Sequence, residues 1–268
     1  MSGPSVIVVA DQAAASEAAA RHIAGSLTRA VAGRGRADWV TTGGSSPVGI
    51  YLLLVAPPLK EEVPWEGVHV WWGDERYVTR DHPSSNAKPF DDIMLDIERS
   101  VGGTVGTRPT GVPVPLEHVH PFRTSEAIGR AAGATWCAEA LAMELAAADI
   151  PREDGWPAVD LMLIGIGKDG HLLSVFPGSS AIGASEIAVA IPAPTHIEPH
   201  VERVTLNPAL VGTARDVLVV ATGSEKAGAI GRAFGPPGDP RELPARLAVR
   251  TGATWILDEA AAAELPGR

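Results

Sequence analysis

The sequence predicts an α/β fold in which a mostly parallel sheet is sandwiched by helices. Short apolar runs of strand length recur along the chain, at residues 5–10, 38–42, 68–72, 159–166 and 216–221. Stretches of helix length, several of them rich in alanine, separate them, and strands that alternate with helices imply parallel order. The run from Leu161 to Ile166 is apolar except for Gly165, the pattern of a strand covered on both faces.

Taken in order, residues 5–10 read as a strand. Asp11 is placed to cap an alanine-rich helix reaching about residue 32, with Gly33 and Gly35 ending it. Residues 38–42 form a second strand, which delivers Gly43-Gly44-Ser45-Ser46-Pro47 before the apolar run 48–55. Proline early in a helix is tolerated because its missing N–H would have had no intrahelical partner. The strand at 68–72 runs into Gly73-Asp74-Glu75-Arg76-Tyr77, and a polar loop at 79–86 leads to a helix expected around 91–99. Residues 102–121, rich in Gly, Pro and Thr, read as irregular with a short strand near Val119.

Thr124 or Ser125 is then placed to cap one long alanine-rich helix to about residue 148. The strand that follows it enters Gly167-Lys168-Asp169-Gly170-His171, a turn that glycines at 165, 167 and 170 allow to be sharp and closely approached. Residues 187–191 and 203–206 read as strands joined by a proline-bearing loop. Residues 216–221 form a strand running into Gly223-Ser224-Glu225-Lys226, and the tail reads as a strand at 253–257 and a helix from Asp258. No repeat or linker divides the chain, so residues 1–268 are expected to form one domain.

A formal net charge of −10 without a basic stripe argues against nucleic-acid or anionic-membrane partners, while a small anionic substrate stays compatible if a few cations gather locally. The single cysteine, Cys137, cannot form an intrachain disulfide and reads as a packed core thiol. The chain opens without a basic segment followed by an apolar run, and no apolar stretch approaches about 18 residues. A soluble, cytoplasmic protein is therefore expected. The oligomeric state stays open.

Several constellations carry chemistry, each beside a plainer reading. Gly43, Gly44, Ser45 and Ser46 at a strand-to-helix junction offer backbone N–H groups and hydroxyls that suit a phosphate, and they equally suit a tight turn whose serines cap the helix. Asp74-Glu75-Arg76 follows a strand and could grip sugar hydroxyls and an oxyanion, or form a solvated charge cluster. Lys226 and Arg203 bring cations to the same sheet edge or are simply solvated. Trp71 and Trp72 read as core.

His171 can take a proton from water and return it, and Asp169 two residues before it can fix the ring's tautomer; the plainer reading is a structural histidine. His118 with His120, and His196 with His200, lack the further donors that a metal site needs. No Gly-x-Ser-x-Gly elbow supports a serine nucleophile, and Ser174 reads as packing or capping.

Together, Thr42-Gly-Gly-Ser-Ser-Pro47, Trp72-Gly-Asp-Glu-Arg-Tyr-Val78 with Ser85-Asn86, and Leu163-Ile-Gly-Ile-Gly-Lys-Asp-Gly-His-Leu-Leu-Ser-Val-Phe-Pro-Gly178 resemble the 6-phosphogluconolactonase family. Arg203-Val-Thr-Leu206 and Gly223-Ser-Glu-Lys226 follow in the same order, so the resemblance covers essentially the whole chain. It implies a three-layer α/β/α sandwich with a Rossmann-like central sheet, shared with glucosamine-6-phosphate isomerases. It also implies hydrolysis of 6-phosphogluconolactone in the oxidative pentose phosphate pathway, without metal or cofactor. His171 would be the catalytic imidazole, the Gly43–Ser46 loop and Asp74 would meet the substrate, and Arg76, Arg203 and Lys226 would contact its phosphate or carbonyl oxygen.

Lys168 stands where the family commonly has proline, and Leu172-Leu173 replaces a common Thr-Ala pair. Both flank the Asp-Gly-His centre and bear on substrate preference more than on activity. In the related isomerases the corresponding segment carries a glutamate that helps operate the histidine; Phe176 occupies its place here. Two alternatives accompany the lactonase: an amino-sugar-phosphate isomerase or deaminase with Asp74 as the base, and a non-catalytic sugar-phosphate sensor.

Overall fold

The computed structural model describes residues 3–44, 46–95, 97–99, 105–107 and 111–267. Seven strands form the central sheet, in the spatial order Ser5–Val9, Ala253–Asp258, Val217–Ala221, Leu161–Ile164, Ala37–Thr41, Val68–Trp72, Val119–His120. Every neighbouring pair is parallel. The strands Ala37–Thr41, Leu161–Ile164 and Val217–Ala221 at the middle of the sheet are buried along their whole length, as strands covered on both faces must be. With the helices they make the α/β/α sandwich that the apolar runs predict.

The long helix Gln12–Arg34 shows why local chemistry and packing agree. Asp11 Oδ1 accepts from the N–H of Ala14 at 2.9 Å, and Gly35, at φ 73°, closes the other end with its N–H on Val31 O. Its alanines Ala15, Ala19, Ala20 and Ala24 are buried with Ile23 and Leu27, so small side chains let the helix lie close against the sheet.

Chain order reverses direction at the middle of the sheet. From Ala37–Thr41 the chain steps outward to Val68–Trp72, whereas from Leu161–Ile164 it steps the opposite way to Val217–Ala221 and Ala253–Asp258. Ligands of open α/β sheets bind at such a switch, outside the carboxyl ends of the strands. The two strands flanking it are the ones that deliver the Gly43 loop and the Asp169–His171 turn.

A second, antiparallel sheet in the order Ala188–Ile191, Arg203–Leu206, Asp74–Arg76 stands beside this switch. The plainer reading of residues 74–76 as a solvated charge cluster does not hold, because Asp74 and Glu75 are buried and the three residues are a strand paired in register with Arg203–Leu206. The alanine-rich stretch after Phe122 is two helices, Thr124–Gly129 and Gly133–Ala147. Ala131 at φ 52° and Gly133 at φ 84° break it, and neither Thr124 nor Ser125 caps the first; the Ser125 hydroxyl instead accepts from the N–H of Arg80. The helix expected around 91–99 is Lys88–Ile93, with Pro89 in its first turn, and residues 259–264 form turns rather than a helix. No helix among the described residues is long and apolar enough to cross a membrane.

Trp71, Trp72 and Cys137 are fully buried in the core, as read from sequence. His118 and His120 lie at the sheet edge in a stack of rings: His69 with His118 at 3.8 Å and Trp71 with His120 at 3.9 Å between centroids.

Candidate active site

A cleft of about 200 Å³ opens at the switch point. Its walls come from the ends of strands far apart in sequence, so its chemistry follows from the topology.

The first wall is the turn after Leu161–Ile164. Asp169 Oδ1 meets His171 Nδ1 at 2.6 Å and also accepts from the backbone N–H of His171 at 3.1 Å. Burial alone would raise the Asp169 carboxyl, but the hydrogen bond and charge of His171 and a hydrogen bond from His196 outweigh it and hold Asp169 well below the usual carboxylate range. An ionised carboxylate only accepts, so Nδ1 carries a proton towards it, and in the neutral ring Nε2 is the nitrogen left with the free lone pair. Gly167 makes the arrangement possible, since a Cβ there would lie 2.1 Å from His171 Cε1 and Nδ1. Gly170, at φ 86°, turns the chain over Leu243.

The second wall is the loop after Ala37–Thr41. Thr42, Gly43, Gly44 and Ser46 line the cleft, and Ser46 opens the helix Ser46–Leu54. Ser45 lies outside the described residues. A Cβ on Gly43 would fall 2.0 Å from Asn86 Oδ1, so glycine lets this loop press onto Asn86. Asn86 in turn donates through Nδ2 to the Asp74 carbonyl and to Asp74 Oδ1, at 2.9 and 3.1 Å.

The third wall is the small sheet. Asp74 and Arg76 line the cleft, while Glu75 between them points the other way, as alternation along a strand requires. There its carboxylate collects the Ser85 hydroxyl and the N–H groups of Arg76, Asn86 and Ala87. Burial still pushes Glu75 up to about 7 against those four donors. Arg76 stands directly opposite Arg203 across the strands. Arg76 Nη1 donates to Ser84 O and Arg203 Nη2 to Pro199 O, but the Nε of each is buried without a partner among the described residues. Burial first, then the charge of Arg76, lowers the pKa of Arg203. Lys226, from the short turn Ser224–Lys226, also lines the cleft; burial lowers its pKa, with Glu225 and Asp258 opposing.

Every described residue named for the site from sequence therefore borders this cleft, except Asp169, which acts on it through His171. Four residues that the sequence reading noted but did not name for the site also belong to it. Asn86 and Ser174 hold Asp74, Ser174 Oγ donating to Asp74 Oδ2 at 2.6 Å. Phe176 packs 4.8 Å from the His171 ring, and His196 reaches the second oxygen of Asp169. The Thr42–Pro47 and Ser85–Asn86 motifs carried a signal for Asn86; nothing local in the sequence pointed to His196. Among the described residues no group of three or more His, Cys, Asp or Glu side chains is placed to hold a metal ion.

An imidazole held at Nδ1 by a carboxylate can accept a proton at Nε2 and give it back, and two adjacent guanidinium groups with unused N–H donors suit an anion. Among relatives, the 6-phosphogluconolactonase of Mycobacterium tuberculosis is 35% identical over 253 residues, 93% of each chain. That of Streptomyces coelicolor is 30% identical over 268 residues, covering 98% of this chain and 95% of the relative. The solved 6-phosphogluconolactonase from Trypanosoma cruzi superposes with a TM-score of 0.80 at 27% identity, covering 98% of this chain and 97% of that one. A monomeric glucosamine-6-phosphate deaminase, 17% identical with a TM-score of 0.72 over 97% of this chain and 99% of its own, shares the fold. Residues 10–256 match the profile described as glucosamine-6-phosphate isomerases/6-phosphogluconolactonase, and the chain belongs to that family.

Proposed function

We propose that this chain, acting as one domain, hydrolyses 6-phospho-D-glucono-1,5-lactone to 6-phosphogluconate, the lactone step of the oxidative pentose phosphate pathway. The observation that carries the proposal is the pairing, in one cleft, of a carboxylate-held imidazole with two register-paired arginines whose Nε donors have no partner among the described residues.

His171 Nε2 takes a proton from water as the water oxygen bonds to the lactone carbonyl carbon. Arg76 and nearby donors stabilise the resulting oxyanion. The intermediate collapses by breaking the bond to the ring oxygen, which receives the proton from His171, and the new carboxylic acid ionises. Asp169 stays ionised throughout and keeps the ring in the tautomer that the first step needs. Arg203, Lys226 and the Gly43–Ser46 loop anchor the phosphate, so that distant binding energy positions the carbonyl. Phe176 supports this reading over an isomerase: a phenyl ring beside His171 cannot relay a proton.

The test is a coupled assay on freshly made lactone with spontaneous hydrolysis subtracted. Wild-type protein is expected to exceed the buffer rate by orders of magnitude, and folded His171→Gln protein to match it. Unchanged activity in the variant, or ammonia release from glucosamine 6-phosphate by the wild type, rejects the assignment.

A further inference from the structure

Asp169 is shared between two imidazoles. Its Oδ1 takes both His171 donors, and its Oδ2 lies 3.0 Å from Nε2 of His196. His196 belongs to the segment joining the strands Ala188–Ile191 and Arg203–Leu206, and Ile197 and Glu198 from that segment line the same cleft. Phe176 packs against both rings, its centroid 4.8 Å from that of His171 and 5.6 Å from that of His196.

We propose that His196 is a positioning residue for the reaction, fixing the Asp169 carboxylate from its far side so that Asp169 holds the His171 ring in the productive tautomer and orientation. The inference rests on the lactonase reading for its activity readout alone.

An aspartate's terminal torsion is soft and roughly two-fold, and turning about it carries Oδ1 away from the two His171 donors. A donor on Oδ2 resists that turn and so steadies the hold on the ring. Because an ionised carboxylate only accepts, the Nε2 of His196 must carry its proton, and the bond needs no charge on the ring. The other holds on the segment are made within it or to the small sheet: His200 Nδ1 to Pro194 O at 2.7 Å, Arg203 Nη2 to Pro199 O at 2.9 Å, and the Tyr77 N–H to Glu202 O at 2.8 Å. The His196–Asp169 bond joins this wall of the cleft to the turn that carries the catalytic imidazole.

The test pairs two variants with a double-mutant cycle. His196→Ala is expected to lower kcat about tenfold with KM changed less than about threefold, since the group acts on the imidazole and not on the phosphate. His196→Gln, whose carboxamide N–H also reaches Oδ2, recovers most of that loss. In an Asp169→Asn background, His196→Ala changes nothing further, because its route to His171 is already cut. A readout independent of turnover is the His171 Nδ1 proton in imidazole nitrogen–proton spectra. It is expected to be low-field and slowly exchanging in the wild type, and broadened by exchange in His196→Ala.

Equal activity in wild type and His196→Ala, equal impairment in the Ala and Gln variants, or an additive loss in the Asp169→Asn background each overturns the proposal. If the wild type fails to hydrolyse the lactone while the Nδ1 proton still depends on His196, the lactonase reading falls and the positioning role stands.

Discussion

Substituting Gly167→Ala tests whether the His171 ring must sit where the structure puts it. A Cβ at residue 167 would lie 2.1 Å from both Cε1 and Nδ1 of the ring and 2.8 Å from Asp169 Oδ1. Carbon contacts below 3.0 Å essentially do not occur, so the ring must retreat by at least about 0.9 Å. Gly167 does not have positive φ, so alanine is tolerated by the backbone and trims the freedom of the unfolded chain by about 0.4–1 kcal/mol. The damage therefore falls on the 2.6 Å bond between Nδ1 and Asp169 and on the placement of Nε2. A misplacement of about 1 Å costs on the order of a hundredfold in rate, or about 3 kcal/mol in the barrier. We expect kcat on the lactone to fall roughly 100-fold while the urea midpoint moves by less than the equivalent of about 1 kcal/mol. A folded Gly167→Ala protein with kcat within about fivefold of the wild type would refute the placement of the ring.

Two further outcomes follow from the charges. Arg203→Met removes half of a like-charged pair as well as an anion donor, and charge-assisted hydrogen bonds contribute about 1.5–3 kcal/mol. Steady-state kinetics should show KM for the phosphorylated lactone rising at least about tenfold, with hydrolysis of unphosphorylated gluconolactone changed less than about threefold and stability to urea unchanged or higher. His69 is held down to about 4 by burial first, then by Arg36 and the stacked His118, with His120 adding to the effect and Asp38 opposing it. Because the folded value lies below the unfolded 6.5, the unfolded chain binds the extra proton, and stability is lost as pH falls from about 6.5 to about 4. The full shift corresponds to about 3 kcal/mol, and since the ring is only half-buried we expect about 1–2 kcal/mol. Urea unfolding at about pH 7 and about pH 4.5 should show this loss in the wild type and a smaller one in His69→Gln; parallel losses would contradict it.

The middle of the central sheet was legible because strands such as Leu161–Ile164 and Val217–Ala221 are buried on both faces, and such strands advertise themselves as apolar runs wherever they fall in the chain. The Asp169–His171 turn was legible for a related reason: it follows one of those runs and is bracketed by glycines. The small sheet was not, since Asp74–Arg76 is a three-residue strand made of charges, and the partner that makes it a strand, Arg203–Leu206, is far away in sequence. Propensity reads only the local chain, and here the tertiary pairing decides. The break between the helices Thr124–Gly129 and Gly133–Ala147 had a visible marker in Gly133, masked by the alanines around it. His196 carried no local signal at all, because its partner lies across the cleft in another element.

Several local rules fail together at the cleft, although crowded glycines and a buried guanidinium nitrogen without a partner among the described residues also occur elsewhere, at Gly67, Gly111 and Arg34. Like charges directly opposite on antiparallel strands repel, buried guanidinium nitrogens without partners cost their desolvation, and a glycine too crowded for any Cβ restricts what the chain can become. Arg76, Arg203, Gly43 and Gly167 break these rules, and all four border the same cleft. The strand Asp74–Arg76 explains how the fold tolerates it. As a solvated loop its three charged residues would scatter; as a strand they alternate, so Asp74 and Arg76 are presented to the cleft while Glu75 is turned away to fasten residues 85–87. The acids of that strand offset the burial of Arg203, whose pKa both Asp74 and Glu75 raise against the lowering by Arg76. What they leave unanswered is the pair of Nε donors, and an oxyanion entering the cleft is the group that answers them. On the proposed function, stability given up at these positions is stability that an anionic substrate would restore, and substrate binding and the placement of the His171 ring would belong to one mechanism.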